Sequence, residues 1–246
     1  MDIMDGIDIS SWKKDIDLHA ATPQFCIVKA TEGTYYNNPY YRKHYNVLNE
    51  RGILRGSYHF ATPGNATTQA KYYLNAVYND IHDGILCLDY EAKALSNGPD
   101  WCEEFLDYVA SQTQATPLIY MSLSVTKEQN WNSVSKKYPL WVANYPTSKD
   151  VSFKWYRDKY PYKPGYWSTP TIWQYSSQGW IDGYGSVLDV NHFYGTRQDW
   201  WNLTGYYSQN NHKPENESTS ESGAAETTPH YEIFENDKMK IWVQLK

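Results

Sequence analysis

The chain has 246 residues, and 41% of them are hydrophobic, which is enough for one large domain with a core of its own. The formal net charge of −6 argues against a nucleic-acid-binding protein, because such proteins present basic surfaces. No run of about 18 or more apolar residues occurs, so we expect no membrane insertion.

Eight short runs within residues 1–207 have the apolar character of β-strands. Several are almost continuously apolar, which is typical of strands that are buried on both faces. In chain order the runs are GIDIS (6–10), FCIVKAT (25–31), LRGSYHF (54–60), ILCLDYE (85–91), LIYMS (118–122), LWVANY (140–145), TIWQYS (171–176) and VLDVNHF (187–193).

Helix signals separate the earlier runs. Asn38-Pro39 predicts the start of a first helix, helical spacing of apolar residues predicts a second over 66–77, and Pro99 opens a third. A fourth is predicted within 123–132, whereas the last three runs have no convincing helix between them. Alternating strands and helices predict a parallel sheet, so we expect an α/β fold: a single β/α barrel of the TIM type with its later helices missing or reduced.

The composition changes sharply near residue 208. The stretch SQNNHKPENESTSESGAAETTP (208–229) contains almost no apolar residue and is predicted to be a flexible linker. Residues 230–246 are too few to form an independent core, so we interpret them as a short tail, the remnant of a second module. The predicted folded domain is therefore 1–207.

Four acidic residues lie in or at the ends of predicted strands: Asp8, Asp89, Glu91 and Asp189. Barrel enzymes carry their chemistry at the carboxyl ends of strands.

Residues two apart on a strand face the same side, about 6.6 Å apart. Glycosidases place two carboxyl groups about 5–5.5 Å apart when they retain configuration and about 6.5–9.5 Å apart when they invert it. Crowding raises the pKa of one acid, so the cluster predicts a glycosidase site with a general acid.

Simpler explanations exist for each acid taken alone. An isolated Asp-x-Glu is usually solvated, Asp8 could cap a turn, and Asp189 could pair with an arginine or a backbone amide. Their joint occurrence within apolar strands favours function, because unpaired acids are expensive there.

Other side chains near the predicted strand ends are candidates to bind sugars by stacking or hydrogen bonding. For each aromatic residue alone, core packing is the simpler interpretation. The candidates are Lys29, Glu32, Tyr58, His59, Tyr120, Trp141, Asn144, Tyr145, Trp173 and Gln174. The seven histidines show no metal-ligand spacing, and no nucleotide-binding or GxSxG motif occurs, so neither a metal nor a cofactor is predicted.

Several of these segments together resemble the glycoside hydrolase family 25 lysozymes, the muramidases of bacteria and their phages. The segments are GIDIS, FCIVKATEGTYYNNPYY, GSYHF, LDYE, LWVANY and IWQYSSQGWIDGYGSVLDVNHF, and the resemblance spans residues 3–195. It implies a flattened barrel of eight strands with about five helices. One departure is Lys13-Lys14, where the family often has Gln-Gly.

The resemblance also implies an activity, namely hydrolysis of the β-1,4 bond between N-acetylmuramic acid and N-acetylglucosamine. Carried over by motif, Glu91 is the acid/base, Asp89 is its strand partner, and Asp8 and Asp189 complete the cluster. Retention of configuration is expected, through either a carboxylate nucleophile or the substrate's acetamido group.

The implied partner is the glycan chain of peptidoglycan, and the implied place of action is the cell wall, outside the cell. We expect a monomer, and the tail would be the remnant of a wall-binding module. MDIMDGIDIS lacks the features of a signal peptide, so release through a holin or another export route is expected.

Two alternatives remain open at this point. A non-catalytic glycan-binding barrel would keep the aromatic residues and lose the acids. A chitinase-type glycosidase would show a longer run, Asp-x-x-Asp-x-Asp-x-Glu, which ILCLDYE lacks.

Overall fold

The structure, a computed structural model, describes residues 2–154 and 160–206. The predicted linker and tail lie outside the described residues. The strands are β1 (Ile3–Ile9), β2 (Phe25–Glu32), β3 (Tyr36–Asn37), β4 (Leu54–Phe60), β5 (Ile85–Asp89), β6 (Leu118–Ser122), β7 (Leu140–Ala143), β8 (Val151–Ser152), β9 (Ile172–Trp180) and β10 (Leu188–Tyr194). The α helices are α1 (Tyr41–Glu50), α2 (Ala66–Ala76), α3 (Pro99–Thr113), α4 (Val125–Glu128), α5 (Val134–Lys137) and α6 (Arg197–Leu203).

Eight of these strands close into a barrel. Their order is β1-β10-β9-β7-β6-β5-β4-β2, and a parallel pairing of β1 with β2 closes the ring. The short strands β3 and β8 pair with β2 and β9 at the periphery. Each of the eight predicted runs contributes one barrel strand, so the predicted eight-stranded barrel is confirmed.

The direction of the last strand corrects the prediction of a parallel sheet. β10 pairs antiparallel with both β1 and β9, whereas the other barrel neighbours pair in parallel. Residues 181–187, which connect β9 to β10, contain no helix, and a short connection of this kind returns the chain antiparallel. We call the mouth the end of the barrel at which the parallel strands finish. β10 begins at the mouth and runs away from it.

The helices follow the predicted pattern for the first half of the chain and depart from it later. α1 begins at Tyr41, because Asn38 accepts a hydrogen bond from the Tyr40 amide and forms a turn ahead of the helix. The predicted helix within 123–132 is reduced to the four residues of α4. Helix α6 was not predicted, although it opens with a capping box between Thr196 and Asp199.

Two apolar layers lie on either side of the barrel wall. Alternate residues of each strand face the interior, where Phe25, Leu54 and Ile85 fill the end opposite the mouth, and Trp200 of α6 packs against Phe25 there. The other residues face the helices in a larger outer layer. None of the helices in the described residues has the length and apolar character needed to cross a membrane.

Candidate active site

Strand alternation turns Asp8 and Asp189 toward the barrel interior at the mouth. Asp8 lies between Ile7 and Ile9, which both pack in the outer layer, and Asp189 lies between two further outer-layer residues. The antiparallel register of β1 and β10 places Asp8 directly opposite Asp189. Asp189 therefore reaches the mouth from the first residues of its strand, whereas Asp8 reaches it from the last residues of β1.

Asp89 and Glu91 come from one segment on the far side of the ring. β5 ends at Asp89, two residues earlier than predicted, but Glu91 keeps an extended backbone with φ −150° and ψ −175°. Tyr90 between them is fully buried in the outer layer. The period of two thus continues past the end of the strand and directs both acids to the same side.

The four carboxyl groups influence one another's ionisation. Burial raises the pKa of Asp8 and of Asp89. The charge of Asp189 raises the pKa of Asp8 further, and the charge of Glu91 does the same for Asp89. Burial and then Asp189 raise the pKa of Glu91, against the opposing effect of Lys29. The cluster therefore resists full ionisation, which is the condition for one member to keep a proton near neutral pH.

Asp8 is fixed by two side-chain amides. Its Oδ2 accepts hydrogen bonds from Gln174 Nε2 and from Asn191 Nδ2, each at 2.8 Å. Asn191 Oδ1 in turn accepts from the indole Nε1 of Trp141 at 2.8 Å. These donors favour the charged form of Asp8 and partly offset its burial.

Two tyrosines complete this network above Gln174. Its Oε1 accepts hydrogen bonds from Tyr120 at 2.9 Å and from Tyr145 at 2.6 Å, which orients the amide so that its Nε2 faces Asp8. Tyr120 is 9% exposed, whereas Tyr145 is 43% exposed. Only Tyr145 of the two presents a large accessible surface at the mouth.

A cation lies on the other side of the cluster, at the end of β2. Lys29 Nζ bonds to Glu32 Oε2 at 2.7 Å and lies 4.3 Å from the ring centroid of Phe60. Tyr35 donates to the second oxygen of Glu32 at 2.9 Å. Lys29 lowers the pKa of both Asp89 and Glu91 and so limits how far burial can raise them.

Two of the predicted sugar-binding residues do not reach the mouth. His59 is fully buried in the outer layer, where Thr31 and Gln69 bond its ring and the ring of Phe105 stacks on it. Trp173 is also fully buried there and donates to the Asn144 carbonyl. Their strand neighbours Tyr58 and Gln174 take the interior positions, because adjacent residues of a strand face opposite sides. The prediction was therefore wrong for His59 and Trp173.

The remaining candidates lie at the mouth or directly beneath it. Tyr58 and Trp141 pack in the interior below the acids, with their rings 6.4 Å apart. The backbone amide of Asn144 donates to the Gln174 carbonyl at 3.2 Å, just after the end of β7.

Asn191 and Lys13 were not predicted as site residues, although both contact the acidic cluster or its neighbours. Asn191 is two residues after Asp189, so alternation along VLDVNHF was a sufficient signal. Lys13 donates to the Val187 carbonyl at 2.7 Å and lowers the pKa of Asp189. Within the described residues, no group of three or more His, Cys, Asp or Glu side chains is arranged to hold a metal ion.

Comparison with known proteins identifies the family. The profile of glycosyl hydrolases family 25 matches residues 7–184, most of the barrel. The chain belongs to this family. Its relatives include lysozyme M1 of Streptomyces globisporus, which is 30% identical over 78% of this chain and 68% of the relative. Another is the N,O-diacetylmuramidase of Chalaropsis sp, which is 31% identical over 70% of this chain and 87% of the relative. The solved family GH25 lysozyme from Aspergillus fumigatus is 28% identical, with a TM-score of 0.67 over 82% of this chain and 99% of that chain.

The family 25 assignment makes the chain a glycoside hydrolase of the lysozyme and muramidase class. The profile match ends before β10. The place of Asp189 and Asn191 in the site therefore depends on the barrel geometry, in which β10 lies beside β1.

Removing the Asp189 carboxyl should stabilise this family 25 hydrolase more as the pH rises. Burial raises the pKa of Asp189 to about 6 from an ordinary value of 3.8. A carboxyl group whose pKa is higher in the folded than in the unfolded protein stabilises the fold at pH values below its unfolded pKa. That stabilisation is lost as the pH rises through the pKa of the folded protein. We expect Asp189→Asn to raise the melting temperature relative to the parent more at about pH 7 than at about pH 4.

Thermal unfolding of both proteins across that range measures the effect. Asp182→Asn, at an exposed position on the preceding turn, is the matched control and should show no such trend. A constant difference between Asp189→Asn and the parent at all pH values would contradict the raised pKa.

Proposed function

We propose that this protein cleaves the β-1,4 bond between N-acetylmuramic acid and N-acetylglucosamine in peptidoglycan, with Glu91 as the general acid. The observation that carries the proposal is the convergence of four carboxyl groups, from β1, from β10 and from the end of β5 with the residues after it, at one mouth. Asp8 and Asp89 are each only 7% exposed, whereas Glu91 is half-buried. Glu91 therefore combines a raised pKa with access to a bound glycosidic oxygen.

The proposed reaction divides two tasks among the carboxyl groups. Glu91 donates its proton to the leaving oxygen as the glycosidic bond breaks, and later accepts a proton from the attacking water. Positive charge develops on the sugar in the transition state, and the buried acids below the mouth face that charge. Asp8 is held by its two amide donors, so its position needs no rearrangement during the reaction.

Two routes to a retained configuration fit this arrangement. One of the other carboxylates attacks the anomeric carbon, or the acetamido oxygen of the muramic acid does so. Asp8 is held by two side-chain amides, and Asp89 is buried. In either route, a fixed or buried acid of this kind stabilises the positive charge that develops on the sugar.

The predicted sugar-binding residues fall into two groups under this proposal. Lys29, Glu32 and Tyr145 retain accessible surface and would contact the glycan directly, with Asn144 beside them. A second group supports Asp8 and the floor of the mouth from beneath. That group consists of Tyr58, Tyr120, Trp141 and Gln174.

The proposed partner is the glycan chain of the bacterial cell wall, and the proposed active form is a monomer. All four acids, and the amides that hold Asp8, come from a single chain. A second copy is therefore not needed to complete the site.

Digestion of purified cell walls tests the proposed function. Mass spectrometry of the products should show new reducing ends at muramic acid. Reducing ends at glucosamine would overturn the choice of bond, and intact walls would favour a non-catalytic glycan-binding barrel. Cleavage of chitin in place of cell walls would favour a chitinase-type glycosidase.

A further inference from the structure

The most exposed large hydrophobic side chain in the described residues lies on the turn after β1, the strand that carries Asp8. Trp12 is 88% exposed, on a short 3-10 turn, Ser11–Lys13, that begins two residues after the end of β1. Nothing in the reaction proposed above uses it. Exposing a whole indole to water forgoes the stabilisation that burial of its surface would give, so its position calls for an explanation outside the fold.

The turn that carries Trp12 is fixed at several points. The Ser10 hydroxyl accepts a hydrogen bond from the Trp12 amide at 3.3 Å, and Tyr36 donates to the Ser11 hydroxyl at 3.0 Å. On the other side, Lys13 Nζ donates to the Val187 carbonyl at 2.7 Å. The exposed indole is therefore held on an anchored turn, and a ligand that binds it would not bear the entropic cost of ordering the turn.

These anchors connect the turn to the segments on both sides of β1, namely those next to β10 and β2. Val187 precedes Asp189 by two residues, and Tyr36 lies beyond the end of β2, the strand that carries Lys29. Tyr35, next to Tyr36, is itself 70% exposed. Trp12 and Tyr35 are thus two exposed aromatic side chains on the segments that follow β1 and β2 at the mouth, and we call the pair the aromatic lip.

We propose that Trp12 stacks on an N-acetylhexosamine ring of the glycan strand, at a subsite outside the two sugars that flank the cleaved bond. The inference rests on the proposed function, because it assigns the occupant from continuity with that site. An aromatic face packs well against the axial C–H groups of a sugar ring, and the lip follows β1 and β2 at the mouth, where a long polysaccharide would continue beyond the two sugars at the cleaved bond. The net charge of −6 makes an anionic membrane surface a poor alternative occupant.

Binding measurements with glycans of two lengths test this subsite. We would use the Glu91→Gln protein, in which turnover is expected to be at least about a hundredfold slower, with a soluble peptidoglycan octasaccharide and the corresponding disaccharide as probes. Trp12→Ala should weaken octasaccharide binding about tenfold and leave disaccharide binding unchanged. Trp12→Tyr should retain most of the affinity, because it keeps an aromatic face.

Tyr78→Ala is the matched control. Tyr78 is 48% exposed, on the connection that precedes β5 and therefore at the end of the barrel opposite the mouth. It should bind both probes as the parent does. Since Trp12 makes few contacts with the fold, we expect Trp12→Ala to melt at the parental temperature.

Two results would overturn the inference while leaving the proposed function standing, because the wall digest tests that function separately. The first is equal octasaccharide affinity with and without the indole. The second is an equal loss for both probes, which would place Trp12 within the cleavage subsites. Failure of the parent to bind either glycan would overturn the inference as well.

Discussion

Glu91→Gln is expected to fold as the parent does and to hydrolyse cell walls at least about a hundredfold more slowly. Glutamine has nearly the same shape as glutamic acid but has no acidic proton for the leaving oxygen. Burial and the neighbouring Asp189 raise the pKa of Glu91, so the substitution removes the acid best suited to donate a proton. The rate of release of reducing ends from purified walls measures the effect.

A matched variant separates this effect from a general loss of charge. Glu50 is exposed at the end of α1, away from the mouth, and Glu50→Gln should retain the parental rate. Both variants should melt near the parental temperature. Near-parental hydrolysis by Glu91→Gln would show that another group supplies the proton.

Trp200→Ala is expected to lower the free energy of unfolding by about 3–5 kcal/mol. Trp200 is fully buried where α6 closes the end of the barrel opposite the mouth, and its ring centroid lies 5.0 Å from that of Phe25 and 5.2 Å from that of Phe193. Truncation leaves a cavity among side chains that are held by the closed barrel and cannot collapse freely. Urea denaturation gives the free energy directly.

Trp201→Ala on the same helix is the control for this variant. Trp201 is only partly buried, so its removal should cost clearly less than the removal of Trp200. Equal losses at the two positions would indicate that α6 contributes through its helix alone and not by filling the barrel.

The sequence predicts that alternate side chains of a strand face opposite sides of the barrel wall, but it does not predict which of the two sets faces the interior. In LRGSYHF the alternation rule states that Tyr58 and His59 face opposite sides, but the apolar run does not say which of them faces inward. Pairing in register with β2 and β5 fixes the choice in the structure. For Asp89 and Glu91 the rule sufficed, because only their shared direction mattered.

Two further features of the fold, the direction of β10 and the start of α6, could have been predicted from the sequence. The ten residues between TIWQYS (171–176) and VLDVNHF (187–193) show no helix pattern and are too few for a crossover, which already implied a direct return that makes β10 antiparallel. Thr196 and Asp199 have the spacing of a capping box, which predicts the start of α6. The position of Trp200 inside the barrel, by contrast, depends on packing of residues distant in the chain and has no local signal.

The hairpin of β9 and β10 also determines which changes of length the chain can tolerate. In the parallel part of the barrel, residues added to a loop at the mouth lengthen that loop without changing which side chains of the strands face the interior. An added residue between Asp189 and Asn191 in β10 would instead break the period of two that directs both side chains to the interior. Only one of these two side chains would then face the substrate. A single insertion in this strand would dismantle the site while leaving every acidic residue in the sequence.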